Sequence, residues 1–148
     1  MEFLVSSSAF SQGANLPCWY CASGLNSSPP LGWAGEPDGT VSLAVVCISS
    51  EEQVHWVLWN IPPDTKTIYG KQPAQRLLSN GIRQGINDYS RIGWTGPYEK
   101  KPGLTITVHA YALDTLIEEQ ESDLTADQLV RLMEGHILAE AELTCECS

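Results

Sequence analysis

Three residues within one short stretch have side chains suited to a site: Cys47, Ser49 and His55. A thiol eight residues and a hydroxyl six residues before an imidazole are the raw material of a nucleophile and its general base. An imidazole by itself suits reversible anion binding, because its pKa near neutrality lets a bound anion favour the charged form. A hydrolase also needs an orienting acid and an oxyanion hole, and nothing in the chain indicates all of these together, so no enzymatic activity is expected. Two further groupings are sulfur-based. Cys18-Trp19-Tyr20-Cys21 is a C-x-x-C and Cys145-Glu146-Cys147 a C-x-C. A structural zinc is usually held by two well-formed knuckles, and C-x-C at the end of the chain is a poor second one, so neither a metal nor another cofactor is expected. The odd count of five cysteines argues against a disulfide framework and for free thiols in a reducing compartment.

The element that must position His55 is QVHWVLWNIP, Gln53 to Pro62. Val54, Trp56 and Leu58 fall on one face of a period-2 strand and His55, Val57 and Trp59 on the other, so neither face reads as solvent-facing. His55 is thus either a core imidazole donating to a backbone carbonyl or a site residue. The tryptophans read as packing, and Pro62 and Pro63 end the strand. Before it, VSLAVVC (Val41 to Cys47) is a second strand buried on both sides, joined through Ile48 to Glu52. After it, the chain to Pro102 reads as long, glycine-rich loops, with one helical turn over Pro73 to Ser79 and Asn87-Asp88 pinning the loop through Asx-type hydrogen bonds. LTITVHAYAL places Ile106, Val108, Ala110 and Ala112 inward and Thr105, Thr107, His109 and Tyr111 outward, with His109 at the surface. Thr125 with Gln128 forms a capping box for a helix whose stripe is Leu129, Leu132 and Met133, and Gly135 closes it. The chain then returns to period 2 from Ile137 to Thr144. Residues 24 to 40 favour turns around one short extended piece. The fold class is mainly β, with a late helix and a final strand.

At 148 residues the chain fits one domain, 1–148, with a substantial core. No apolar run approaches the roughly 18 residues of a membrane span. MEFLVSSSAFSQG carries an acid where a secretory signal has a basic region, which makes the cytoplasm the expected location. The net charge of −10 is uneven. Residues 114 to 148 carry ten acids against a single base, Arg131, a local charge of −9. Residues 65 to 101 carry seven bases and two acids, a local charge of +5, where an anionic ligand finds its best field. The overall balance disfavours broad nucleic-acid or membrane binding.

Several pieces together resemble the phosphatidylethanolamine-binding protein family, also called Raf kinase inhibitor-like proteins, in its bacterial and archaeal branch. They are Ser28-Pro29-Pro30-Leu31 with Trp33 and Gly35, Ser42-Leu43-Ala44, and His55-Trp56-Val57 running to Asn60-Ile61-Pro62. Gly85, Asn87-Asp88, Gly93, Gly96-Pro97, Tyr111 to Asp114 and Gly135 to Leu143 follow in order. The resemblance implies a β-sandwich with short peripheral helices, and a small pocket for phosphate-like groups or phospholipid headgroups. His55 resembles the pocket histidine, and Gly96 with Pro97 resembles the loop on the opposite wall, where glycine lets backbone N–H groups approach an anion.

Two positions depart from the family pattern. Ser49 stands where the family's pocket aspartate is expected, and Leu104-Thr105 replaces a His-Arg pair whose arginine braces the acidic segment. Losing both is physically coherent, since one charge left buried without the other typically costs roughly 3 to 5 kcal/mol. The expected site is an altered cavity lined by Ser49, His55, Gly96, Pro97 and Tyr98. The expected function is non-enzymatic binding of a small anionic or polar ligand, with regulation of a partner protein; the alternative is an interaction module whose pocket no longer binds phosphate. Homodimers are common among bacterial relatives, so dimerisation is a family-level expectation.

Overall fold

The continuous and alternating apolar runs form strands in the computed structural model of the chain, which describes residues 2–118 and 123–148. In chain order the strands are β1 (Leu4–Ser6), β2 (Leu31–Ala34), β3 (Ser42–Ser49), β4 (Val54–Ile61), β5 (Thr67–Ile68), β6 (Arg83–Gln84), β7 (Thr105–Leu113) and β8 (Ile137–Glu146), with helix α1 (Ala126–Met133) before the last strand. They make two antiparallel sheets, β1-β2-β5 and β6-β4-β3-β7-β8.

The central strands β3 and β4 of the larger sheet are buried on both faces, which explains why they read as unbroken apolar runs. One face packs on the small sheet: Leu43, Val45, Trp56, Leu58, Ile106 and Val108 meet Val5, Leu31, Trp33 and Ile68. The other is covered by α1, with Ala44, Val46, Val57 and Trp59 against Leu124, Ala126, Leu129 and Met133. The architecture is a β-sandwich with a helix on the outer face of its larger sheet. The helix carries the expected capping box: Thr125 Oγ1 accepts from the Gln128 amide while Gln128 Oε1 accepts from the Thr125 amide. Gly135 follows it at φ +81°, a left-handed value that suits glycine.

The structure corrects several expectations. Leu132 is 41% exposed, and Ala126 joins Leu129 and Met133 on the buried stripe. The helical turn lies at Ser79–Gly81 rather than over Pro73 to Ser79, because Asn80 at φ 64° and Gly81 at φ 82° fold a tight turn. The region read as loops contains β5 and β6, each two residues long, and β1 and the 3-10 turn Cys18–Tyr20 precede the first expected strand. His109 does lie on the solvent side, half-buried, with Nδ1 3.2 Å from Glu142 Oε1. Asn87 pins its loop as expected, its Oδ1 accepting from the amides of Tyr89 (2.9 Å) and Arg91 (3.3 Å).

Two register shifts matter for the site. Between Leu43↔Ile61 and Val45↔Leu58 the β4 strand carries an extra residue, with Asn60 at φ 56° and its side chain bonded to both N and O of Ile117. Between Cys47↔Trp56 and Ile48↔Val54 the extra residue is His55. A bulge re-aims side chains, and here it moves Val54 onto the helix-side cluster with Val57 and Trp59, away from the face it shares with Trp56 by simple alternation.

Leu129 is wholly buried between α1 and the sheet. Leu129→Ala is expected to lower unfolding free energy by about 2 to 5 kcal/mol, whereas Leu132→Ala at the exposed position costs under about 1 kcal/mol; urea denaturation of the two variants checks the difference.

Candidate functional site

The bulge places His55 at the end of β4 with 2% of its surface exposed. Its Nδ1 lies 2.6 Å from the carbonyl oxygen of Thr95. A carbonyl only accepts, so Nδ1 carries a proton and Nε2 is the nitrogen left to exchange one. The Thr95 amide in turn donates to the His55 carbonyl at 3.1 Å, so the two residues clasp each other through ring and backbone. Tyr89 and Trp94 flank the imidazole, with ring centroids at 5.3 and 6.1 Å. Both readings of His55 therefore hold at once: it is a core imidazole on a backbone carbonyl, and it lines an opening.

That opening is a cleft of about 250 Å³. Ser49, Gln53, His55 and Leu104 line it with Tyr89, Pro97 and Tyr98, and Glu51, Glu99 and Lys101 supply its charges. Ser49 and Leu104, the two positions that depart from the resemblance, both line it. In place of the expected charged brace, the β3–β4 turn is tied to β7 by uncharged groups: Ser50 Oγ accepts from the Thr105 amide at 3.1 Å and the Ser50 amide donates to the Thr105 carbonyl at 2.8 Å. Ser49 Oγ accepts from the amides of Glu51 and Gln53, both at 3.2 Å, and so shapes that turn.

The structure brings His55, Ser49, Pro97 and Tyr98 together and leaves Gly96 outside the lining. The Gly96 amide is already committed to Asn26 Oδ1 at 2.7 Å. Glycine is required there for another reason: a Cβ would lie 2.1 Å from the Tyr20 carbonyl oxygen. The sequence reading missed Glu51, Gln53, Tyr89, Glu99, Lys101 and Leu104 as a group, because they converge from separate turns.

The positive stretch does not focus on the cleft. Lys66 pairs with Glu36, Arg76 with Asp123, and Lys71 lies over the Trp19 ring at 5.7 Å. Lys100 binds Asn15 Oδ1 and the Leu16 carbonyl. Lys101 reaches the cleft, and its ammonium pairs with Glu51 at 2.5 Å. Burial holds the His55 imidazole below the ordinary histidine pKa, against the Thr95 carbonyl and the Asp88 carboxylate, which favour the charged form. Asp88 is itself fixed by accepting from the Val54 amide at 2.7 Å. Among the described residues there is no group of three or more His, Cys, Asp or Glu side chains arranged to hold a metal ion, and no helix is long and apolar enough to cross a membrane.

The fold is a two-sheet β-sandwich with a cleft at the end of its central strands, floored by a buried histidine. Residues 6–148 match the model of the phosphatidylethanolamine-binding protein family, and the chain belongs to that family. A UPF0098 protein of Methanothermobacter thermautotrophicus is 36% identical over 139 residues, 91% of each chain. One from Chlamydia muridarum is 33% identical over 148 residues, 94% of each chain. Among solved structures, Escherichia coli YbcL, described as a member of the mammalian family, superposes with a TM-score of 0.87 at 27% identity, covering 98% of this chain and 97% of its own. The Chlamydia trachomatis homologue CT736 gives 0.84 at 28% identity over 97% and 95%.

Because the folded pKa of His55 is lowered, the unfolded chain binds more protons than the folded one between that pKa and about 6.5. The His55 contribution is therefore fully favourable above about pH 6.5 and is lost as pH falls through the folded pKa. Urea denaturation across pH 4 to 8 is expected to show a steeper acid-side loss in wild type than in His55→Gln; equal slopes contradict the assignment.

Proposed function

We propose that this member of the family is a non-enzymatic binding protein that takes a phosphate-bearing headgroup of the phosphoethanolamine type in the cleft over His55. The observation that carries the reading is the buried imidazole at the floor of an open cleft, its Nδ1 fixed on Thr95 so that Nε2 is the ring nitrogen left for a ligand. A phosphate oxygen at Nε2 stabilises the imidazolium, so binding takes up a proton and strengthens as pH falls toward the folded pKa. Lys101 supplies a second positive group, while Glu51 and Glu99 on the rim suit the ammonium end of a zwitterion. A volume of about 250 Å³ suits a headgroup, with any acyl chains left outside. The family's description supports the same ligand class.

The nucleophile arrangement speaks for binding over hydrolysis. Ser49 Oγ is engaged by two backbone amides, and Cys47 is wholly buried, which pushes its thiol well above the ordinary range.

The test is an NMR titration of the His55 ring with inorganic phosphate and with phosphoethanolamine, at pH 6 and 7.5. Saturable shifts at millimolar ligand are expected, stronger at pH 6, absent in His55→Ala and weakened several-fold in Lys101→Met. Phosphoethanolamine is expected to bind more tightly than phosphate, and Glu99→Gln to remove that preference. No saturable shift with either ligand overturns the reading and favours an interaction module acting through its surface.

A further inference from the structure

The C-x-x-C adjoins the segment that carries Pro97 to the cleft, with the Ala22 amide on the Pro97 carbonyl. Cys18 opens the 3-10 turn Cys18–Tyr20 and is exposed, while Cys21 follows it with 1% exposure. The Cys21 amide donates to the Cys18 carbonyl at 3.1 Å, and the Cys21 thiol donates to the Pro17 carbonyl at 3.9 Å, at the head of the same turn. Residues i and i+3 of such a turn have Cα atoms under about 7 Å apart, which overlaps the roughly 4.4 to 6.8 Å span of a disulfide.

Three hydrogen bonds join the two segments. Trp94 Nε1 donates to the Tyr20 carbonyl at 2.9 Å, the Ala22 amide to the Pro97 carbonyl at 3.0 Å, and the Gly96 amide to Asn26 Oδ1 at 2.7 Å. The contact of Gly96 with the Tyr20 carbonyl leaves no slack between the two segments. Trp94 also packs beside the His55 ring. Any rotation of the Tyr20 peptide is therefore passed to Trp94 and Pro97.

We propose that Cys18 and Cys21 form an oxidisable dithiol whose closure to a disulfide shifts the Trp94–Pro97 segment, which flanks the His55 ring and brings Pro97 to the cleft. The site is a modification site, and it stands whichever ligand the cleft takes. The oxidant is a low-molecular-weight disulfide, RSSR. The exposed Cys18 thiolate attacks one sulfur of RSSR, forming Cys18–S–S–R and releasing RS⁻. The Cys21 thiolate then attacks the Cys18 sulfur, the bond to R breaks, and a second RS⁻ leaves. The two cysteine protons end on two RSH; the protein dithiol loses two electrons and RSSR gains them. Burial raises the Cys21 thiol, and Lys100 acts in the opposite direction to favour the thiolate. The thiols of Cys47, Cys145 and Cys147 are buried, out of direct reach of the oxidant.

The experiment incubates the full chain with millimolar oxidised glutathione, then alkylates the unfolded protein and maps disulfides by mass spectrometry, with NMR of the His55 ring and the Trp94 indole N–H in parallel. The expected result is a Cys18–Cys21 link with loss of two of the five thiols, shifts at both Trp94 and His55, and reversal by dithiothreitol. Cys18→Ser, at an exposed position, is expected to fold, keep its four thiols and show neither shift. A lasting mixed disulfide on Cys18, a link from Cys21 to Cys147, or a Cys18–Cys21 link that leaves Trp94 and His55 unmoved each overturns the proposal.

Discussion

A strand covered on both faces has little room for a polar ring, and β4 holds its imidazole by breaking the ladder. The bulge at His55 supplies the space, and the clasp between His55 and Thr95 supplies the hydrogen bonds that a buried ring and a buried backbone both require. The long segment between β6 and β7 depends on that clasp. It has almost no ladder of its own, so its position relative to the sandwich is set by Thr95 on His55 and by Asp88 on the Val54 amide, while Asn87 on Gly93 and Thr95 holds the segment's own shape. The floor of the cleft and the anchor of its wall are thus the same residue.

The electrostatics follow from that geometry more than from the charge count. A stretch of seven bases looks like an anion field when read along the chain, yet the turns send most of these side chains to separate partners on the outer surface. What faces the cleft is one lysine among glutamates. With so little fixed positive charge, an anion there depends on a proton taken up by a group that prefers to be neutral when the cleft is empty of charge.

The parts of the fold that were legible in the sequence are those with enough periods to repeat. β3, β4, β7, β8 and α1 each run eight residues or more, and apart from Val54 in β4 and Leu132 in α1 their patterns match the faces they bury. β5 and β6 are two residues long and have no period to read. The switch of Val54 between faces was hidden for a different reason: a bulge is a property of two paired strands, and neither strand records it alone. Ser49 and His55 line one cleft because they flank a single tight turn. Gly96 misled because its glycine answers to a carbonyl at Tyr20, far away in sequence, and a close approach to a ligand and a close approach to backbone leave the same mark.

The order of the larger sheet carries a consequence for how the chain is made. Its centre, β3 and β4, is complete by Ile61, but the strand on the other side of β3 begins at Thr105 and the edge strand at Ile137. The edge is sealed in turn by residues near the start of the chain, with the Gly13 and Leu16 amides donating to Thr144 and Glu146. Until residues 105 to 113 have left the ribosome, one flank of β3 stays an unpaired apolar strand, and until residues 137 to 146 follow, β7 is the open edge in its turn. Pairings so far apart in sequence close slowly, so the nascent chain passes through a stage in which its most hydrophobic ladder is open on one side. For this fold, the period of greatest exposure to aggregation and to chaperones ends with translation of the final strand.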